Sequence, residues 1–182
     1  AKQGDVILEK GGSMSGIVAG TGNNTQGSTV RIKADDGNVI VGGVLDVSGG
    51  DNDEPLIGGP GNKSGSINLQ ALNGYVKVGS IIANGGNSSQ VGGGGNSAED
   101  GITIIAANVV IDGVLSANGG NGTNSVGGSG GGVSITLIGT PVLAEIGNDW
   151  YQTREAFATG IINAFGGDSS LAVGGKGGNV TI

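Results

Sequence analysis

Residues Gly65–Asp100 read GSINLQALNGYVKVGSIIANGGNSSQVGGGGNSAED, and the rest of the chain is built from copies of this stretch. Ile67, Leu69 and Ala71 alternate with Ser66, Asn68 and Gln70. Val76 and Val78 follow, then Ile81 and Ala83. Alternation over a few residues signals strand, and nothing here has helical spacing. Three short strands are expected, broken at Asn73-Gly74 and at Gly79. The double glycine Gly85-Gly86 closes them, and a polar glycine-rich excursion leads onward. A strand unit of this kind cannot bury its apolar side alone, so it needs the next copy stacked on it.

The copies align on that double glycine, which recurs at Gly49-Gly50, Gly119-Gly120 and Gly166-Gly167. A branched residue followed by GGxG forms a second landmark, beginning at Ile57, Val91, Val126 and Val173. A third opens each copy: Val30/Ile32/Ala34, Ile67/Leu69/Ala71, Ile102/Ile104/Ala106, Val133/Ile135/Leu137 and Val180/Ile182. The fold expected is all-β: a single-stranded parallel β-solenoid of about three short strands per coil with Gly-rich loops. It forms one domain over residues 1–182, in about five coils. Ile67, Ile102, Val133 and Val180 then lie in one ladder, and Val47, Ala83, Ala117 and Ala164 in another. Asn23, Asp51, Asn87, Asn121 and Asp168 share one place, suited to a side-chain ladder or to capping corner N–H groups.

The totals agree with this reading. Glycine supplies 43 of 182 residues, several times the usual share of ~7%. Hydrophobic residues are 36% of the chain and aromatics only 3%, which suits a narrow aliphatic interior. The net charge of −7 disfavours nucleic acid and anionic membrane surfaces. No apolar run approaches the ~20 residues of a membrane-spanning helix. Cysteine and histidine are absent, which excludes disulfides, thiolate chemistry and Ser-His-Asp or Cys-His machinery.

The fourth copy carries an insertion at residues 144–160, expected to fold as a flap. Within it, Asp149 would cap one short helix over Trp150–Phe157. Trp150, Tyr151 and Arg154 are candidates for stacking a sugar, anchoring the flap or contacting a neighbouring subunit.

The ends invite comparison. Ile182 placed ahead of Ala1 nearly restores a complete coil, VTI-AKQ-GDVIL, parallel to VRI-KADD-GNVIV at Val30–Val41. One reading is a slice of a longer repeat protein. The other is end-to-end self-association, in which one subunit's end docks on the next subunit's start. No polar or helical cap is legible at the C-terminal end.

Candidate sites are few. Gly49–Lys63, GGDNDEPLIGGPGNK, resembles half of the calcium-binding RTX nonapeptide. Asp51, Asp53 and Glu54 would supply the oxygens that a calcium ion wants, and the alternative is a solvated acidic loop. The sequons at Asn23, Asn62, Asn87, Asn121 and Asn179 would carry glycans in a secreted host that modifies them, and Asn-rich loops also produce sequons by chance. The acid pairs Asp35/Asp36, Glu99/Asp100 and Glu145/Asp149 lie in turns or insertions, and Arg31 stands nearly alone. Glycoside chemistry needs facing carboxylates, so no catalytic residue is assigned and no enzyme is expected. The glycine runs precede strands and lack the Lys-Ser/Thr of a phosphate loop.

GGKGGNVTI at Gly174–Ile182, SGSINLQ at Ser64–Gln70 and GGVSITL at Gly131–Leu137 resemble repeats of filamentous haemagglutinin-like exoproteins and related glycine-rich bacterial surface β-helices. The resemblance covers most of residues 28–182. It implies a secreted or cell-surface protein with a role in adhesion or matrix, and it carries no catalytic or binding motif. The function expected is therefore structural, as part of an extracellular fibre, sheath or adhesin. A carbohydrate-binding module for surface glycans is the alternative, and a polysaccharide-degrading enzyme comes third.

Overall fold

The computed structural model describes residues 4, 6–8, 16–18, 25–52, 59–89, 93–138, 144–146, 149–151, 161–170 and 172–182. Among them every regular element is a strand: β1 (Val6–Leu8), β2 (Gly16–Val18), β3 (Val30–Ala34), β4 (Val39–Asp46), β5 (Ile67–Ile82) and β6 (Ile102–Ile111). The rest are β7 (Val114–Ser116), β8 (Val133–Leu137), β9 (Ala144–Ile146), β10 (Asp149–Tyr151), β11 (Ile161–Asn163) and β12 (Val180–Thr181). They belong to one sheet that nearly closes on itself, and every pairing is parallel except β9 with β10.

Three sets of parallel pairings run side by side. In the first, Val30, Ile67, Ile102, Val133 and Val180 are successive Cα partners through β3, β5, β6, β8 and β12. In the second, Val6, Val39, Val76 and Val109 are partners through β1, β4, β5 and β6, and β9 joins β6. In the third, Ile17, Leu45, Ile81, Leu115 and Ile162 are partners through β2, β4, β5, β7 and β11. The ladder expected through Ile67, Ile102, Val133 and Val180 is thus the observed register. Val47, Ala83, Ala117 and Ala164 are buried and bonded in series: Val47 N–H donates to Ile82 O, Ala83 N–H to Ser116 O and Ala117 N–H to Asn163 O.

Burial follows the period of two. Along β5 the buried positions include Ile67, Leu69, Ala71, Val76, Val78 and Ile81, each fully buried. Their partners on β4 and β6 are buried too, so the enclosed space is aliphatic from Ala34 to Ile135. Small branched side chains suit a parallel sheet whose inner face is this narrow.

The structure corrects three expectations. The breaks at Asn73-Gly74 and Gly79 do not end strands: β5 runs continuously over sixteen residues. The chain turns there by slips in register, between Ala71 and Tyr75 against β6 and opposite Val41 to Val44 of β4. A bulge bends a strand without ending its hydrogen bonds. Gly37 stands beside the first bend with φ 130°, a conformation that L side chains rarely adopt.

Secondly, the GGxG landmark is not in register throughout. Gly61 N–H donates to Gly93 O, Gly94 N–H to Val126 O and Gly127 N–H to Val173 O. Gly61, Gly94, Gly127 and Gly174 therefore stand over one another. The landmark matches between Val126 and Val173 but slips by two residues between Val91 and Val126. A turn at Glu99–Asp100 absorbs those two residues before β6.

Thirdly, Asp149 does not cap a helix. Asp149–Tyr151 is a strand, antiparallel to Ala144–Ile146, with Asp149 opposite Ile146 and Trp150 opposite Glu145. Two residues of sequence, Gly147-Asn148, join the pair, and such a dipeptide between extended segments favours a hairpin. Residues 152–157 of the expected helix lie outside the described residues.

Candidate functional site

The glycine-rich excursions return to the double-glycine corner and lock there, backbone against backbone. Asn62 N–H donates to Gly50 O (3.1 Å), Gly86 N–H to Asn62 O (2.9 Å) and Gly95 N–H to Gly86 O (2.8 Å). The series continues with Gly120 N–H to Gly95 O, Gly128 N–H to Gly120 O, Gly167 N–H to Gly128 O and Gly175 N–H to Gly167 O, at 2.7–2.8 Å. One column comes from the corner and one from the excursion, and each bond crosses between them. A Cβ at Gly86, Gly95, Gly120, Gly128 or Gly167 would meet a backbone carbonyl well inside 3.0 Å. Glycine is required here because two backbones pass in contact.

Beside this zipper run columns of polar side chains, all with the same polarity. Asn87 N–H donates to Asp51 Oδ1 (2.6 Å), Asn121 N–H to Asn87 Oδ1 (2.8 Å) and Asp168 N–H to Asn121 Oδ1 (2.8 Å). This is the place expected to hold a side-chain ladder or corner caps, and from Asp51 to Asp168 it does both. Asn23 lies outside the described residues. A second column, missed in the sequence, runs parallel to it. Asn84 N–H donates to Ser48 Oγ (3.3 Å), Asn118 N–H to Asn84 Oδ1 (2.8 Å) and Phe165 N–H to Asn118 Oδ1 (2.8 Å). The signal for it was the residue two before each Gly-Gly pair's second glycine: Ser48, Asn84, Asn118. Each later pass donates and each earlier one accepts, so the stack has a direction.

Buried serines are satisfied in the same way. Ser64 Oγ accepts from Ala98 N–H (2.8 Å) and Ser97 Oγ–H donates to Ala83 O (2.7 Å). Among the described residues no buried side-chain polar atom lacks a partner. Asn84 Oδ1 likewise serves two donors, accepting from Ser116 Oγ–H and Asn118 N–H, both at 2.8 Å. Asn84→Ala strands both donors and should cost about 1–3 kcal/mol. Asn84→Asp keeps both acceptors and should melt closer to the parent in a thermal scan followed by circular dichroism. Equal melting of the two variants would show that this acceptor contributes nothing.

The expected sites fall as follows. Of Asp51, Asp53 and Glu54, only Asp51 is described, and its Oδ1 holds the Asn87 N–H. Asp53 and Glu54 lie outside the described residues. Among the described residues no group of three His, Cys, Asp or Glu gathers for a metal ion. Asn87, Asn121 and Asn179 are exposed, and Asn62 is half-buried with its Nδ2 donating to Gly50 O (3.0 Å). Asn87 and Asn121 stand on adjacent passes, ~4.8 Å apart. Their ladder uses Oδ1, which a glycan on Nδ2 would leave in place. Trp150 and Tyr151 sit on β10, and Arg154 lies outside the described residues.

The acid pairs do not gather around Arg31. Arg31 is exposed on β3, whereas Glu99 and Asp100 stand in the turn before β6, two pairings away. Asp35 holds Lys33 (2.7 Å), and Asp36 Oδ1 accepts from Asn73 Nδ2 (2.7 Å). Glu145 and Asp149 belong to the β9–β10 hairpin. A cleft of about 350 Å³ lies over the glycine floor at Gly130, Gly132, Gly177 and Gly178, rimmed by Glu99, Asp100, Thr103, Ser134, Asn179 and Thr181. Thr103, Ser134 and Thr181 form one outward column there. Hydroxyls and carboxylates on an open rim can hydrogen-bond a polyol.

Exposure rises over residues 161–182. Val180 is 46% exposed, whereas its partner Val133 is 1% exposed and Ile102 is fully buried. Phe165 and Ile161 are likewise exposed, at 65% and 59%. No protein-family model matches the chain, and no match was found among curated proteins or solved structures, so the resemblance to haemagglutinin-like repeats rests on the quoted residues alone.

Proposed function

We propose that the chain is a β-solenoid with a structural role outside the cell, a segment of a fibre, sheath or adhesin, and that copies of it stack end to end. The observation that supports this best is the run of parallel registers through Val30, Ile67, Ile102, Val133 and Val180, in which each pass shelters the aliphatic side of the one before. The same register, with a further carboxylate at Asp168 in the polar column, can take another parallel pass, and a second copy can supply one. Such a contact is heterologous, and where it does not close it produces filaments.

Electron microscopy of the purified chain at rising concentration tests this. Unbranched filaments one molecule wide are the expected result, and compact monomers at every concentration would defeat the proposal. Val180→Lys, which places a charge on the half-exposed rung of the aliphatic ladder, should abolish the filaments while leaving the monomer folded.

The second reading is a carbohydrate-binding module, favoured by the hydroxyl and carboxylate rim of the cleft. Binding to a glycan array that is lost on Thr103→Val with Ser134→Ala would support it.

A further inference from the structure

Four Asn-Gly pairs occur among the described residues: Asn73-Gly74, Asn84-Gly85, Asn118-Gly119 and Asn121-Gly122. Asn-Gly is the dipeptide most prone to spontaneous deamidation, because glycine leaves its own nitrogen unhindered. In that reaction the glycine nitrogen attacks the asparagine Cγ. A carbon–nitrogen bond forms, the Cγ–Nδ2 bond breaks, and ammonia leaves. Water then opens the cyclic imide to aspartate or to isoaspartate. The attack needs the side chain to swing back over the following peptide, and that nitrogen to give up its proton.

Three of the pairs are held against both movements. Asn84 Oδ1 accepts from Asn118 N–H (2.8 Å) while Gly85 N–H donates to Asn118 O (2.8 Å). Asn118 Oδ1 accepts from Phe165 N–H (2.8 Å) while Gly119 N–H donates to Phe165 O (2.8 Å). Asn121 Oδ1 accepts from Asp168 N–H (2.8 Å) while Gly122 N–H donates to Asp168 O (2.9 Å). In each case the electrophile and the nucleophile are pinned to one residue of the next pass.

Asn73 is different. It sits where β5 and β6 slip, with residues 72–74 facing the single residue 107. Its bonds run backward through Nδ2, the nitrogen that would leave, to Asp35 O (3.2 Å) and Asp36 Oδ1 (2.7 Å). Asn73 and Asn121 are both exposed, so exposure does not separate them.

We infer that Asn73 is the deamidation site of the folded protein, and that the polar columns keep Asn84, Asn118 and Asn121 chemically silent. At Asn73 the product carboxylate would face Asp36 in place of a donor, and the isoaspartate form would add a backbone carbon at the bend. The columns thus guard the stack against a lesion that would shift its register.

Peptide mapping by mass spectrometry, with isoaspartyl methyltransferase labelling, tests this on protein aged in mildly alkaline buffer. In the folded protein Asn73 should convert about tenfold or more faster than Asn121, because opening of the stack limits the latter. In urea the four should convert at comparable rates. Asn121 converting as fast folded as unfolded, or Asn73 no faster than Asn121 in the folded protein, would overturn the inference.

Discussion

Gly120→Ala is expected to cost about 4 kcal/mol or more, from overpacking and broken buried hydrogen bonds together. The added Cβ would fall on the Gly86 carbonyl, with the carbonyl carbon at 2.5 Å and Gly85 O at 2.8 Å. All of these atoms are backbone, so no side chain can swing aside. Relief needs the passes to part, which breaks Gly120 N–H to Gly95 O and Gly128 N–H to Gly120 O, both 2.8 Å. A domain is stable by roughly 5–15 kcal/mol in all, so the loss is a large share. The melting temperature should fall by about 10 °C or more, at ~2–4 °C for each kcal/mol in a chain of this length. Gly174→Ala is the control. The nearest atom to its Cβ is Gly167 O at 3.4 Å, an ordinary contact, and its φ is not positive. That change should leave stability unaltered or raise it by up to ~1 kcal/mol. Paired melts that agree within a degree or two would show that the glycine columns do not hold the stack together.

This contrast also marks how far the sequence could be read. The alternation in β5 was visible because side chains on the two faces meet different surroundings, and a period of two survives in residue types. The double glycine and the Asp51–Asn87–Asn121–Asp168 place were visible because they stack one for one. The packing of Gly86, Gly95, Gly120 and Gly128 was not. A glycine that permits a turn and a glycine that permits contact are the same letter, and only the bonds between columns separate them. The slip of the GGxG landmark was hidden by compensation, since Glu99-Asp100 adds two residues after the excursion and leaves Ile102 over Ile67. The β9–β10 hairpin was misread because Asp149 followed by a mixed segment also fits a capped helix. There a local signal for a turn at Gly147-Asn148 outranked an isolated cap. As for the site, the polar column was legible from spacing, while the cleft by Glu99 was not, because it depends on which glycines lie side by side.

Ile104→Asp is expected to prevent folding, whereas Ile105→Asp should be tolerated. The two positions are neighbours with the same side chain, and only the period of two distinguishes them. Ile104 is fully buried, between its partners Leu69 and Ile135, which are fully buried and 4% exposed. A carboxylate there meets aliphatic carbon from the passes on both sides. Among the described residues the enclosed cluster contains no cation to pair with it. Burying an unpaired charge costs several kcal/mol even after relaxation, and the lost aliphatic contacts add about 2–5 kcal/mol. Together these match or exceed the whole stability of an ordinary domain, roughly 5–15 kcal/mol. Ile105 points the other way, partly exposed, in a column with Gln70 and Thr136. An aspartate there reaches water and loses only strand preference, on the order of 1 kcal/mol. Soluble expression and circular dichroism of the two variants decide the matter. Equal damage from both would mean that the two faces of β6 are not inside and outside, and the stacking of Leu69, Ile104 and Ile135 would lose its meaning as a core.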